Sequence, residues 1–67
     1  MNIVKKLTPD EYLAQLMKLH NLKQTDLKDC APQSRISEIL NRKRLISKSI
    51  AKKLAVRFNV EVGNFIE

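Results

Sequence analysis

The stretch QSRISEILNRKR, residues 33–44, combines a half-apolar segment with a dense block of positive charge. Ile36, Ile39 and Leu40 recur at the spacing that puts side chains on one side of an α-helix. The last four residues, NRKR, contain three cations and no apolar side chain. The stretch therefore predicts a short helix that is buried on one side, polar on the other, and followed by a cationic turn.

The positive charge of the chain is concentrated around and after this helix. Residues 35–57 hold eight basic side chains against Glu38 alone, a net charge of +7. Residues 1–34 carry a net charge of +1 and the last ten residues a net charge of −2, which gives the total of +6. Charge this localised is typical of a protein that binds a polyanion, although a solvated helix face gives the same pattern.

Length and cysteine content limit the class of protein. A chain of 67 residues is one domain near the lower size limit for independent folding. Its single cysteine, Cys30, cannot form an internal disulfide, which is typical of a reducing compartment. No secretory signal and no apolar run of membrane-spanning length is present. We therefore expect a cytoplasmic protein that does not associate with a membrane.

Catalytic signatures are absent from the sequence. The only histidine, His20, lies ten residues before Cys30 on another predicted helix, and no third partner completes a nucleophilic arrangement. No Cys/His cluster has zinc spacing, and the single glycine, Gly63, cannot form a phosphate-binding loop. The sequence predicts a protein that is not an enzyme and that has no cofactor or metal.

The sequence before residue 33 predicts two helices. In TPDE, residues 8–11, the threonine suits the cap position, the proline the first helical position, and the glutamate a capping box. Apolar residues then follow at helical spacing, and Asn21 suits a left-handed terminator. A second short helix is expected from Gln24 to about Cys30, since Pro32 cannot continue a helix interior.

The sequence after residue 44 predicts two more helices. Ser47 suits the cap of a helix whose apolar residues recur every four positions and which ends at Asn59. Val60, Val62, Phe65 and Ile66 predict a last short helix that either closes the core or makes a partner surface. The predicted fold is therefore all-α, with five helices in a single domain, residues 1–67, and a helix-turn-helix unit at about residues 24–41.

A helix-turn-helix binds DNA because one helix fits the major groove while the helix before it crosses the backbone. The inserted helix needs short or bidentate polar groups on its outer side. Glutamine pairs with adenine, arginine with guanine, and serine with several base edges. The sequence predicts base contacts from Gln33, Ser34, Arg35, Ser37 and Glu38. The cations that follow belong on flanking phosphates, which position the protein without reading sequence.

These residues resemble a known family. The chain is similar to the Cro/C1-type (XRE), lambda-repressor-like helix-turn-helix proteins, and among them to the HigA-like antitoxins of bacterial toxin–antitoxin pairs. The resemblance is carried by LTPDEYLAQLMKLHNLKQTDL (7–27), SRISEILNRKRLIS (34–47) and FNVEVGNFI (58–66). It implies a five-helix fold and a dimeric transcriptional repressor that binds a double-stranded DNA operator.

The resemblance and the charge together give further site residues. Phosphate contacts are expected from Gln24, Asn41, Arg42, Lys43 and Arg44. Dimer contacts are expected from apolar residues outside the first four helices: Leu45, Ile46, Val62, Phe65 and Ile66. The usual glycine after the recognition helix is missing, so either Asn41 or Arg42 is expected to adopt the left-handed cap conformation.

A second interpretation comes from another class of protein. A HigA-like antitoxin also binds its cognate toxin, a small RNA-cleaving protein with a basic surface. The chain would then be a protein-interaction module whose main role is to neutralise that toxin. A net charge of +6 is a poor match to a basic partner unless the acidic or apolar ends of the chain form the contact.

Overall fold

The computed structural model describes residues 7–66, in which three α-helices and two short 3₁₀ helices occur and no strand is present. The α-helices are α1 (Pro9–Leu19), α2 (Gln33–Leu40) and α3 (Lys48–Phe58). The first 3₁₀ helix is Gln24–Leu27 and the second is Val62–Phe65. The prediction of an all-helical chain is confirmed for these residues.

The start of α1 follows the predicted cap in part. Thr8 is extended, with ψ of 159°, and Pro9 is the first helical residue. The backbone N–H of Thr8 donates to Oε1 of Glu11 at 3.1 Å, which is one of the two hydrogen bonds of a capping box. α1 then buries Leu13 and Met17.

The helix between α1 and α2 is shorter and more tightly wound than predicted. Its helix ends at Leu27 and is a 3₁₀ helix, so the predicted helix to about Cys30 is wrong in length and type. The N–H of Cys30 donates to the carbonyl of Leu27 at 2.9 Å, an i to i−3 hydrogen bond. Pro32 keeps this turn from continuing into α2, because it disfavours helical geometry at Ala31 and has no N–H to donate.

All three α-helices end with one left-handed residue: Asn21, Arg42 and Asn59, with φ of 57°, 61° and 55°. The predictions for Asn21 and Asn59 are confirmed, and Arg42 takes the cap after α2. Its N–H donates to the carbonyl of Ile39 at 3.1 Å, and the next N–H, of Lys43, donates to that of Glu38 at 2.8 Å. These two bonds form a Schellman motif, which satisfies carbonyls at the helix end.

The core lies between the helices, with Phe65 as its largest fully buried side chain. The ring of Phe65 is 1% exposed and meets Tyr12 of α1 edge-on at 5.3 Å between ring centroids. Burying a phenylalanine stabilises a fold by roughly 1.5–3 kcal/mol. Phe65 therefore holds the C-terminal 3₁₀ helix against α1, and its predicted role as a dimer contact is corrected to a core residue.

Candidate nucleic-acid interface

Only one face of α2 is buried in the domain. Ile36 and Ile39 are 0% and 1% exposed, whereas Gln33 and Ser34 in the first turn are exposed. Pro32 precedes the helix in an extended conformation, and its carbonyl accepts from the N–H groups of Arg35 and Ile36, both at 3.0 Å. The first turn of α2 is thus fixed to the turn before it while its outer side faces solvent.

The five predicted base-contact residues all lie in α2, but with different accessibility. Arg35, Ser37 and Glu38 are half-buried by their neighbours. The Ser37 carbonyl accepts from Nδ2 of Asn41 at 2.9 Å, and the Ser37 hydroxyl is 3.4 Å from the same nitrogen. Asn41 therefore helps to cap the C-terminal end of α2, in addition to its predicted position near a phosphate.

Glu38 lies between two arginines. Its Oε1 accepts from Nε of Arg44 at 3.1 Å and is 3.5 Å from Nε of Arg35. The three side chains remain between 39% and 50% exposed, so water screens the attraction. We call these residues the Glu38 cluster; it joins a predicted base reader, Arg35, to a predicted phosphate contact, Arg44.

Arg42 is held on the other flank of α2 by the start of α1. Its Nε donates to Oδ2 of Asp10 at 2.9 Å, and its Nη2 donates to Oε2 of Glu11 at 3.2 Å. The nearby Thr8 side chain and then the hydrogen bond from Arg42 lower the pKa of the Asp10 carboxyl below its ordinary value of 3.8. Asp10 and Glu11 in turn raise the pKa of the Arg42 guanidinium. We call Arg42, Asp10 and Glu11 the Arg42 bridge.

The first 3₁₀ helix packs against α2 and carries Gln24, the predicted phosphate contact, in a half-buried position. The turn after this helix is braced by α3. Nη1 of Arg57 donates to Oδ1 of Asp29 at 2.7 Å and to the carbonyl oxygen of Asp26 at 3.1 Å. Sequence analysis missed this contact, because these residues are 28 and 31 positions apart.

The arginines and the lysines of residues 7–66 differ in whether they pair with carboxylates. Each of the four arginines makes an ion pair with a carboxylate. Among residues 7–66 no lysine ammonium makes such a pair, and all seven lysines are exposed. Lys43 is one of them and lies directly in the turn after α2. The described lysines therefore carry no internal ion pair that would compete with a phosphate.

The predicted dimer contacts split into exposed and packed residues. Leu45 is 72% exposed and Ile66 is 41% exposed, while Ile46 and Val62 are half-buried against the core. Leu45, Ile46 and Ile66 line a groove of about 480 Å³ that also borders Pro9 and the Arg42 bridge. Arg44 and Lys48 are also among its lining residues.

Cys30 and His20 are poorly placed to act as a nucleophile and its base. Burial, and then the Asp29 carboxylate, raise the pKa of the Cys30 thiol, which disfavours the thiolate that a nucleophile requires. His20 is exposed, and its ring lies 5.4 Å from that of Phe58. Within residues 7–66 no group of three His, Cys, Asp or Glu side chains is arranged to hold a metal ion, and no helix is long and apolar enough to cross a membrane.

Comparison with protein-family models, with curated proteins and with solved structures finds no match to this chain. The candidate site consists of an eight-residue helix with an accessible first turn, two arginine clusters on its flanks, and unpaired lysines after it.

Proposed function

We propose that this chain is a cytoplasmic, sequence-specific DNA-binding repressor of the Cro/C1-type, HigA-like class, and that it acts without catalysis. The observation that carries the proposal is the position of α2. The helix buries Ile36 and Ile39 and leaves Gln33 and Ser34 exposed at its N-terminal end. A recognition helix contacts base edges with residues near its N-terminus, so the accessible turn is the one that base reading needs.

The cationic turn supports the same function. Asn41, Arg42, Lys43 and Arg44 are all exposed and follow α2 directly. In the proposed complex Lys43 and Arg44 neutralise phosphates beside the groove that α2 occupies, with Gln24 on the other side. Phosphate contacts of this kind fix the register of a helix on the duplex, while base contacts supply the sequence preference.

Dimerisation follows from the proposed function, because repressors of this class bind operators with twofold symmetry. The groove beside Leu45 and Ile66 is the apolar surface that we assign to it. Light scattering with and without operator DNA tests this assignment, and Leu45→Ser is expected to reduce any dimer present. A monomer under both conditions at micromolar concentration would contradict it.

Selection of bound sequences from random duplexes tests the main proposal. We expect an enriched, symmetric site whose half-site spacing reports the geometry of the dimer. NMR titration with the selected duplex should shift the amide signals of residues 33–44 more than those of α3. No enrichment, together with unchanged amide signals at low salt, would contradict DNA binding altogether.

The second candidate is a protein-interaction module that neutralises a toxin, and the same groove favours it. Leu45 and Ile66 are exposed apolar side chains beside this groove, which a protein partner would cover. Co-expression with the product of a neighbouring gene tests this function by co-purification. A nuclease-sensitive absorbance near 260 nm in the purified protein would instead favour DNA binding.

A further inference from the structure

We propose that Glu38 is a positioning residue that sets the orientation of Arg35 and Arg44 for DNA, rather than a direct reader of a base; this inference rests on the proposed function. A glutamate on a recognition helix is ordinarily expected to accept a hydrogen bond from a cytosine amino group. In this chain one carboxylate oxygen, Oε1, already lies 3.1 Å from Nε of Arg44 and 3.5 Å from Nε of Arg35.

The atoms used in these contacts explain the proposed role. A guanidinium has five N–H donors, one on Nε and four on its two Nη atoms. Both arginines approach Glu38 with Nε, and none of their Nη groups donates to an acceptor within residues 7–66. The Nη groups therefore stay available, and an Nη pair is suited to a bidentate contact with a guanine or with a phosphate.

The positions of the two arginines give them different tasks. Arg35 is in the first turn of α2, where base edges are within reach, and Arg44 is in the cationic turn beside the backbone. Oε1 of Glu38 holds both guanidinium groups, so the position of Arg44 on a phosphate and the position of Arg35 on a base depend on each other. It also lowers the number of side-chain conformations that must be lost on binding, which makes the correct site more favourable.

Glu38 also affects the binding of random sequences. It is the only acidic side chain within residues 35–57, so it partly offsets the positive charge at the interface. Removing its charge leaves the two arginines free to rotate toward any phosphate. We therefore expect Glu38→Gln to strengthen binding to random duplexes and to weaken the preference for the selected site, with an overall loss of selectivity of about tenfold.

The first experiment needs no DNA. Nitrogen-15 NMR of the arginine Nε–H groups is compared between the wild type and Glu38→Gln. The signals of Arg35 and Arg44 should move, while those of Arg42 and Arg57, which pair with other carboxylates, should stay in place. The matched control is Glu61→Gln, which removes the same charge from an exposed residue outside the cluster. Unchanged Arg35 and Arg44 signals in Glu38→Gln would overturn the positioning role.

The second experiment measures affinity for the selected duplex and for a scrambled one, at several salt concentrations. Glu38→Gln should lower the affinity ratio about tenfold, and the double variant Arg35→Ala/Glu38→Gln should lose less selectivity than the two single losses multiplied together, because part of the Glu38 effect acts through Arg35. Glu61→Gln should leave the ratio unchanged. A loss confined to one base pair, and independent of Arg35, would make Glu38 a direct reader and overturn the inference.

The two experiments separate this inference from the proposed function. A wild type that discriminates between duplexes, together with a Glu38→Gln variant that discriminates equally well, overturns the role of Glu38 alone. A wild type that binds no duplex overturns the proposed function and, with it, this inference. Thermal melting of Glu38→Gln by circular dichroism excludes unfolding as the cause of a lost preference.

Discussion

The two flanks of α2 both pair arginines with carboxylates, but they leave different atoms available. In the Glu38 cluster the pairing uses Nε of Arg35 and of Arg44. In the Arg42 bridge both Nε and Nη2 are used, on two carboxylates that belong to a different helix. The atoms that form an arginine ion pair therefore decide its effect. The first arrangement leaves the Nη groups of Arg35 and Arg44 without an acceptor in residues 7–66, and the second joins the turn after α2 to α1.

Backbone conformation separates the two flanks as well. Arg42 is left-handed, with φ of 61°, at a position where the other α-helices of the described chain have asparagine. A left-handed conformation is unfavourable for a residue with a branched or long side chain and is tolerated best by glycine and asparagine. Its pairs with Asp10 and Glu11 hold this residue against the start of α1. We therefore interpret Arg42 primarily as a structural residue, and its predicted phosphate contact remains a prediction.

The largest expected effect is on the preference for the selected duplex over a random one, where Arg35→Ala and Arg42→Ala should differ. Arg35→Ala should lower the preference for the selected duplex by about 10- to 100-fold, because it removes a proposed base contact. Arg42→Ala should leave the preference close to that of the wild type, since the Arg42 guanidinium is used within the protein. Fluorescence anisotropy on selected and random duplexes measures both. Equal losses on the two duplexes for Arg35→Ala would refute its role as a base reader.

The next effect concerns a cation that belongs to neither cluster. Lys43→Ala should weaken binding to all sequences alike and reduce the slope of log affinity against log salt by about 0.9, the value for one lost phosphate contact. Lys18→Ala, in the last turn of α1, is the control for loss of a lysine elsewhere and should leave the slope unchanged. A sequence-dependent loss for Lys43→Ala would place this side chain on a base instead.

A smaller effect tests the strain at residue 42. Arg42→Gly and Arg42→Ala both remove the ion pairs, but only glycine adopts a left-handed conformation without cost. The glycine variant should therefore melt at a higher temperature than the alanine variant, by about 5 °C for a domain of this size. Thermal denaturation followed by circular dichroism measures the difference. Equal melting temperatures would show that residue 42 is not left-handed in solution.

The smallest effect is the acid dependence of the Arg42 bridge. The pKa of Asp10 is lowered in the folded state. Its contribution to the free energy of unfolding is therefore fully present above pH 3.8, the ordinary pKa, and is lost as the pH falls through the lowered pKa. The wild type should lose more stability than Asp10→Asn between pH 5 and about pH 2. Arg42→Ala should show a weaker acid dependence than the wild type. Parallel pH profiles for the wild type and Asp10→Asn would contradict the bridge.

The sequence predicted those features that local patterns determine. The buried side of α2 follows from the spacing of Ile36 and Ile39, and the helix ends at Asn21 and Asn59 follow from the tolerance of asparagine for left-handed geometry. The absence of a glycine also predicted that Asn41 or Arg42 would take the third cap. Each of these depends on residues within one or two turns of one another.

Contacts between distant segments could not be predicted in the same way. Arg42 meets Asp10 and Glu11 across 32 and 31 positions, and no periodic pattern connects them. Glu38 was predicted as a base contact because its position on α2 is outward, whereas its pairing depends on how the following turn folds back. Phe65 was predicted as an interface residue, since an apolar residue near a chain end gives no indication of whether its own core or a partner covers it.

The bracing of the turn by Arg57 has a consequence for how the domain assembles. A 3₁₀ helix of four residues, Gln24–Leu27, is too short to be stable alone, and an eight-residue α2 is likewise below the length at which isolated helices persist in water. Both bury apolar side chains in the shared core, and a guanidinium on α3 also holds Asp29 and the Asp26 carbonyl beside the turn that joins them. A synthetic peptide limited to residues 24–44 should therefore be a disordered chain, and during folding this unit should acquire its shape only after α3 has docked.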